Sequence, residues 1–268
     1  MERKWSKVLY KKTGHPDNYT DSDFLKELKR NLHFKPVLAQ SAILASTRIS
    51  TRISITVLFW IVFLQLNDNN SYWKITYGAF TFFIAVAYTI SNRFGSVSSV
   101  LKNVVLFLAF GYACTPVLQS LTDTISTDSI YAMTSFLMLI HLVFHQYESN
   151  EYNVSSPYLS LNAAVCGAIC LASRLSDTKD AFILLTLAAQ AFALFPELYE
   201  TLGYPLVAFG ASTISAALAV FSISEVAAAM FLFLLLLINI VFPLCFVWAQ
   251  KYKDNIYGPW DEALITKI

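Results

Sequence analysis

Asp21-Ser22-Asp23 has the spacing of a DxD group, in which two carboxylates can hold a divalent metal against the diphosphate of a sugar nucleotide. Such a group works only inside a nucleotide-binding domain of ordinary size, roughly 100 residues or more. Here only residues 1–35 precede the first apolar span, so Asp21 or Ser22 is read as the cap of a short helix. His141 and His145 stand four apart at the end of an apolar run, a spacing that can present two imidazoles to one metal. No carboxylate lies between them as in HExxH, and Glu148 falls past the helix end. The pair is therefore read as interfacial, bonding to headgroups or backbone. Cys114, Cys166, Cys170 and Cys245 all lie in apolar segments without CxxC spacing, and are read as small packing residues. The chain contains no Walker loop, no GxGxxG and no pair of glutamates eight apart of the kind found in retaining glycosyltransferases. The expectation is no catalytic residue, no metal and no cofactor in this chain.

Two further groups of charges could do work at a membrane edge. Arg48 and Arg52 occupy equivalent positions in the tandem Thr-Arg-Ile-Ser repeat of residues 47–50 and 51–54, where they share a helix face and can snorkel to phosphates. Trp260 and Asp261 follow a Gly-Pro turn in the tail sequence NIYGPWDEA, as an aromatic anchor flanked by acids. These four are the candidates for lipid or partner contact, with simple interfacial anchoring as the plainer alternative. Asp123, Asp128 and Tyr131 lie in the block LTDTISTDSIYAM, and Arg174 is a candidate partner on the same side of the membrane. They are expected to form a structural polar network. In that block Asp128 is read as the cap of a helix beginning near Ser129, and Glu225 as the capping charge of the last span.

The elements that must position these residues are membrane spans. Of the 268 residues, 56% are hydrophobic and 14% charged, well below the quarter usual in soluble domains. The clearest apolar run, Val226 to Ala249, carries no charge and exceeds the roughly 20 residues needed to cross a bilayer. The fold class expected is all-α: a polytopic membrane helical bundle over residues 36–250 with about eight transmembrane helices. The spans are placed near 36–66, 72–91, 103–121, 130–147, 157–175, 180–198, 204–222 and 225–249. Residues 1–35 form an N-terminal segment with a short amphipathic helix, on which Phe24, Leu25, Leu28 and Leu32 recur at helical spacing. Residues 251–268 form a C-terminal tail. The basic N-terminal segment argues for cytosolic placement, and an even number of spans puts both termini there.

Several blocks, in this order, resemble one family closely: WSKVLY (5–10), PDNY (16–19), FLKELKRN (24–31), TPVLQSLTDTISTDSIYAM (115–133), LSLN (159–162), CLASRL (170–175), FALFP (192–196) and NIYGPWDEA (255–263). The chain resembles the PIG-C family, the C subunits of phosphatidylinositol N-acetylglucosaminyltransferase. The resemblance implies an endoplasmic-reticulum membrane protein acting in the first step of glycosylphosphatidylinositol anchor synthesis. In that step GlcNAc passes from UDP-GlcNAc to phosphatidylinositol. It further implies that a separate subunit with a cytosolic glycosyltransferase domain performs the chemistry, with this chain as one of several non-catalytic membrane subunits. Phosphatidylinositol is the candidate lipid partner, nucleic acid is not expected, and no catalytic residue is carried over. The other classes are a small membrane transporter or lipid scramblase, which would need a polar pathway, and an intramembrane enzyme built on His141 and His145.

Overall fold

The computed structural model describes residues 36–68, 97–120, 122, 124–147 and 156–253, with the backbone of residues 29–30 and 256–257 (in the second stretch, side chains from 106 onward). The expected span at 72–91, Asp123, Trp260, Asp261 and most of the expected N-terminal amphipathic helix lie outside these residues. Helices dominate: α1 (Ala39–Asn67), α2 (Val97–Ser120), α3 (Thr127–Phe144), α4 (Pro157–Ala172), α5 (Thr178–Ala189), α6 (Phe195–Leu202), α7 (Pro205–Phe221), α8 (Glu225–Leu236) and α9 (Phe242–Ala249). Within the stretch expected to form the amphipathic helix, Lys29–Arg30 (β1) instead pairs antiparallel with Ile256–Tyr257 (β2), Lys29 opposite Tyr257 and Arg30 opposite Ile256. The backbone there finds its partner in the C-terminal tail rather than in a helical turn.

Among the described residues four helical stretches are long and apolar enough to cross a membrane: Ala39–Asn67, Thr127–Phe144, Thr178–Tyr199 and Glu225–Tyr252. Pro157–Ala172 and Pro205–Phe221 are apolar but shorter, at 16 and 17 residues. Two of the four long stretches contain a wide turn, Gln190–Leu194 between α5 and α6 and Leu237–Val241 between α8 and α9. Each lies just before a proline, Pro196 and Pro243. Proline has no N–H to offer the carbonyl four residues back and its ring crowds that carbonyl, so the helix widens there instead of breaking.

The ends of the helices sort into two edges. Val37 N–H donates to Gln250 Oε1 at 2.7 Å and Gln250 Nε2 donates to the Val37 carbonyl at 3.1 Å, joining the start of α1 to the end of the last helix. The end of α3, the start of α4 and the end of α6 face this same edge, here called the Gln250 edge. The opposite Arg174 edge holds the ends of α1, α2, α4 and α7 and the starts of α3, α5 and α8. The caps there are local: Ser126, Asp177 and Ser224 accept from the main-chain N–H of Ser129, Lys179 and Ala227 at 3.4, 3.0 and 3.3 Å. Ser126 and not Asp128 caps α3, and Ser224 and not Glu225 caps α8. Each acid instead sits in the first turn, where it favours the helix dipole.

The core lies where α1, α4 and α5 meet, around Phe59, Phe63, Ala164, Ala168, Leu171 and Leu184. The interface between α3 and α4 is close because α4 is small along one stripe. A Cβ at Gly167 would come within 3.0 Å of Met138 Cε and 3.5 Å of Thr134 Cγ2. The outward surface is strongly apolar, with Phe110, Val226 and Met230 each about 70% exposed (73%, 71% and 69%). In water such a surface would be a liability, whereas in hydrocarbon it is the required solvent face.

Candidate lipid- and partner-facing site

α1 is built inside out along its first half. Ser46, Thr47, Ser50, Thr51, Arg52, Ser54 and Thr56 are buried, while Leu38, Leu44 and Ile49 are exposed. Several of the hydroxyls answer to their own helix: Thr51, Ser54 and Thr56 donate to the carbonyls of Thr47, Ser50 and Arg52 at 2.8, 2.8 and 3.0 Å. Ser50 and Ser46 also reach Asn239 Oδ1, at 3.0 and 3.4 Å, and Asn239 Nδ2 donates to the Leu235 carbonyl at 2.8 Å. The wide turn at Leu237–Val241 thus presents an amide to α1 across the bundle.

This inward polar face decides where the two arginines go. Although four apart, they part company. Arg48, half-buried, sends Nη1 to the Tyr147 carbonyl just past α3 at 2.8 Å. Arg52 is 1% exposed, its Nη2 donating to Tyr199 Oη at 3.2 Å and its guanidinium 5.6 Å from the Tyr199 ring centre. Arg52 therefore does not snorkel outward as its sequence position suggested. It points across the bundle to α6 because its neighbours on α1 turn that face inward. The Tyr147 hydroxyl, beside it, donates to the Leu142 carbonyl at 2.6 Å.

The histidine pair lies at the same edge. The Ser160 hydroxyl donates to the His141 carbonyl at 2.9 Å, and His141 Nδ1, in the tautomer that carries its proton there, donates to the Ser160 carbonyl at 3.0 Å. His141 packs on Phe192 with ring centres 4.8 Å apart and on His145 at 5.5 Å. His141 Nε2 is buried without a hydrogen-bond partner among the described residues. No three His, Cys, Asp or Glu residues gather as metal ligands among the described residues. The arrangement joins α3 to α4 rather than assembling a metal centre.

At the Arg174 edge the chemistry is different. Arg174 Nη1 donates to the Ile125 carbonyl at 3.1 Å, Nη2 to the Thr122 carbonyl, and Nε to Ser173 Oγ at 3.2 Å. Thr122 and Ser173 hydroxyls are themselves bonded, as are Gln119 Nε2 and the Leu175 carbonyl. Of the expected network, Asp128 is exposed in the first turn of α3, and Tyr131 packs edge-on against Phe63 and Trp60 with ring centres 5.9 and 6.3 Å apart. Arg174 finds main-chain carbonyls at this edge.

Between α1, the α5–α6 stretch and α7 runs an apolar trough of about 550 Å³ that opens sideways. Ile55 and Phe59 form one wall, Leu187 and Phe195 a second, and Ser215 and Ala219 a third. The serines on α7 do not make the third wall polar. Ser215 donates back to the Ala211 carbonyl at 2.7 Å and Ser212 to the Phe209 carbonyl at 3.2 Å. Sequence reasoning found the arginines and histidines but not Tyr147, Tyr199, Ser160 or this trough. The visible signal was the stripe Leu187, Ala191, Phe195 and Tyr199 at intervals of four, with its single polar tip.

Together, lipid-length apolar helices, two polar edges and a sideways-opening trough define a helical protein of membranes. Residues 5–261 match the family described as phosphatidylinositol N-acetylglucosaminyltransferase, and the chain belongs to that family. It is 37% identical to the C subunit of human phosphatidylinositol N-acetylglucosaminyltransferase, over 99% of this chain and 94% of that protein. A Dictyostelium discoideum protein, named as the putative C subunit of the same transferase, is 32% identical over 99% of this chain and 81% of its own length. The GPI2 subunit of the transferase in Schizosaccharomyces pombe is 30% identical, over 98% and 87%. No solved structure matches the chain.

Proposed function

We propose that this chain is a membrane subunit of the complex that transfers GlcNAc from UDP-GlcNAc to phosphatidylinositol, the first step of glycosylphosphatidylinositol anchor synthesis, and that the chemistry is performed by another subunit. The supporting observation is likeness to transferase subunits along nearly the whole chain, in a protein whose described residues are almost all helix facing hydrocarbon. The chain scaffolds the catalytic subunit and holds the lipid acceptor near it, in the endoplasmic-reticulum membrane. Eight spans, with the apolar run 72–91 supplying one of them, keep both termini cytosolic. The Gln250 edge is then the cytosolic one. Its arginines, Arg48 and Arg52, contact the lipid or a partner together with Trp260 and Asp261 of the tail. Asp123, Asp128, Tyr131 and Arg174 hold the opposite edge together.

The test is purification of the chain in mild detergent, identification of what accompanies it, and assay of UDP-GlcNAc-dependent transfer. Co-purifying transferase activity that needs a second subunit supports the reading. Activity from the lone chain, or recovery without any transferase, overturns it. Accessibility of cysteines placed at the two termini and in each connection tests the topology.

A further inference from the structure

We propose that the trough between α1, the α5–α6 stretch and α7 seats one acyl chain of the phospholipid acceptor, with the lipid phosphate at the Arg48–Arg52–Tyr199 end. The inference rests on the reading of the chain as a subunit of a phosphatidylinositol-using transferase, and names the part of the lipid that this subunit holds. Three features point to this occupant. The first is alignment along the helices. Arg52, Ile55 and Phe59 recur at three and four residues on one face of α1, and Phe195 and Tyr199 stand four apart on the facing stretch. The Arg52–Tyr199 contact therefore continues the same two stripes that wall the trough, one turn beyond its end.

The second feature is depth. α4 and α7, with 16 and 17 residues, rise only about 25 Å at 1.5 Å per residue, a little less than the roughly 27–30 Å hydrocarbon core. α1 has 29 residues and rises about 43 Å. Since their Arg174-edge ends are level, the surplus of α1 projects at the Gln250 edge. The ends of the short helices then sit beside Arg48 and Arg52, which places these cations at headgroup level although Arg52 is enclosed by protein. From there the trough descends along α7 from Ala211 to Ser222, about 16 Å of helix rise. A single tail lying in it would have its phosphate beside two guanidinium groups, the charge complement of a phosphodiester.

The third feature is size and chemistry. A two-turn stretch of another helix, about 10–12 Å across, would fill roughly twice the trough volume. The trough lies in the range of small-ligand pockets, roughly 300–1,000 Å³, and its serines keep their hydroxyls bonded to their own helix. A hydrocarbon chain fits such a wall and a polar ligand does not.

The experiment uses the purified complex with a phosphatidylinositol bearing a diazirine midway along one acyl chain. Irradiation is expected to label the α7 peptide around Ser215 and the α1 peptide around Phe59. Excess phosphatidylinositol should remove the label and phosphatidylcholine should not. Filling the exposed lip with Ser215→Phe should raise the KM for phosphatidylinositol roughly tenfold, leaving the KM for UDP-GlcNAc and subunit recovery unchanged. If this variant is recovered poorly, the wild-type labelling pattern still decides. Label displaced equally by both lipids would mean an annular lipid only. A trough carrying a cross-link from residues 72–91 or from a partner subunit would mean a protein occupant. Either result overturns the acyl-chain proposal while leaving the subunit reading standing, whereas failure to recover transferase with the chain sinks that reading.

Discussion

At the Arg174 edge one guanidinium donates to two main-chain carbonyls and a hydroxyl, and the groups it joins are the connection before α3 and the end of α4. At the Gln250 edge, Arg48 takes a single carbonyl at 2.8 Å, and Arg52 lies against a tyrosine ring and hydroxyl at the head of an apolar trough. Residue type is the same at both edges. What differs is the partner: carbonyls on one side, which tie two connections together, and an aromatic phenol on the other, at the level where a lipid phosphate would lie. Arginine as a fastener and arginine as a receptor are thus separated by about one membrane thickness in one small bundle.

The largest expected effect falls on the fastener. Arg174→Met removes three donors and leaves the Thr122 and Ile125 carbonyls without them. Hydrogen bonds from a charged donor contribute about 1.5–3 kcal/mol each, so a net loss of roughly 3 kcal/mol is expected after some rehydration at this edge. Thermal unfolding of the detergent-purified chain checks it. A midpoint within a degree of wild type would erase the distinction between the two edges.

Arg52→Met should behave in the opposite manner. Replacing a buried arginine by an apolar residue of similar length is often close to neutral for folding, because the desolvation of the charge disappears with it. Recovery and unfolding midpoint should stay near wild type, while the KM for phosphatidylinositol in the complex rises roughly tenfold, about 1.4 kcal/mol. Arg52→Lys should restore part of the affinity, since it keeps the charge and loses the planar fork. Unfolding without any kinetic change would make Arg52 a fastener like Arg174.

This asymmetry was only half legible in the sequence. The helical class, most of the spans and the importance of residues 48, 52 and 174 follow from hydropathy, from the repeat TRISTRIS and from charges at span ends. The wide turns at Gln190–Leu194 and Leu237–Val241 also had a visible cause, in Pro196 and Pro243. What could not be read was direction. Alternating Ser, Thr and Ile on α1 give no strong apolar face, so whether Arg52 looked to lipid or to protein depended on which neighbours packed there. The cap of α3 moved from Asp128 to Ser126 for a similar reason: both are good caps, and the helix starts one turn-position earlier than its apolar pattern. The trough is invisible in sequence because it is a space left between three helices that are distant in the chain.

A third test sits between the edges. Asn239 accepts from Ser50 and Ser46 and donates to the Leu235 carbonyl, pinning α1 to the last helical stretch beside the Gln250 edge. Asn239→Leu should cost about 1 kcal/mol, within the range found for interhelical hydrogen bonds in membranes. Because this contact lies on the opposite side of α1 from the trough, lipid KM should not change. A kinetic effect as large as that of Arg52→Met would mean that the receptor edge is held by general packing rather than by its cation.

The smallest effect is expected at the outer end of that edge. Gln250 and Val37 exchange two hydrogen bonds, at 2.7 and 3.1 Å, where α1 and the last helix project beyond their shorter neighbours. Both groups are reachable by water, so Gln250→Ala should lose only about 0.5–1 kcal/mol. Loss of that size at a helix end shows as local opening rather than as a lower global midpoint. Amide exchange at Val37 should therefore quicken roughly two- to fivefold, with the rest of α1 unchanged. Faster exchange reaching Ser50 would show that the projecting ends and the arginine level open as one unit. The receptor edge would then owe its position to this outer clasp, and the contrast with the self-contained Arg174 edge would be sharper still.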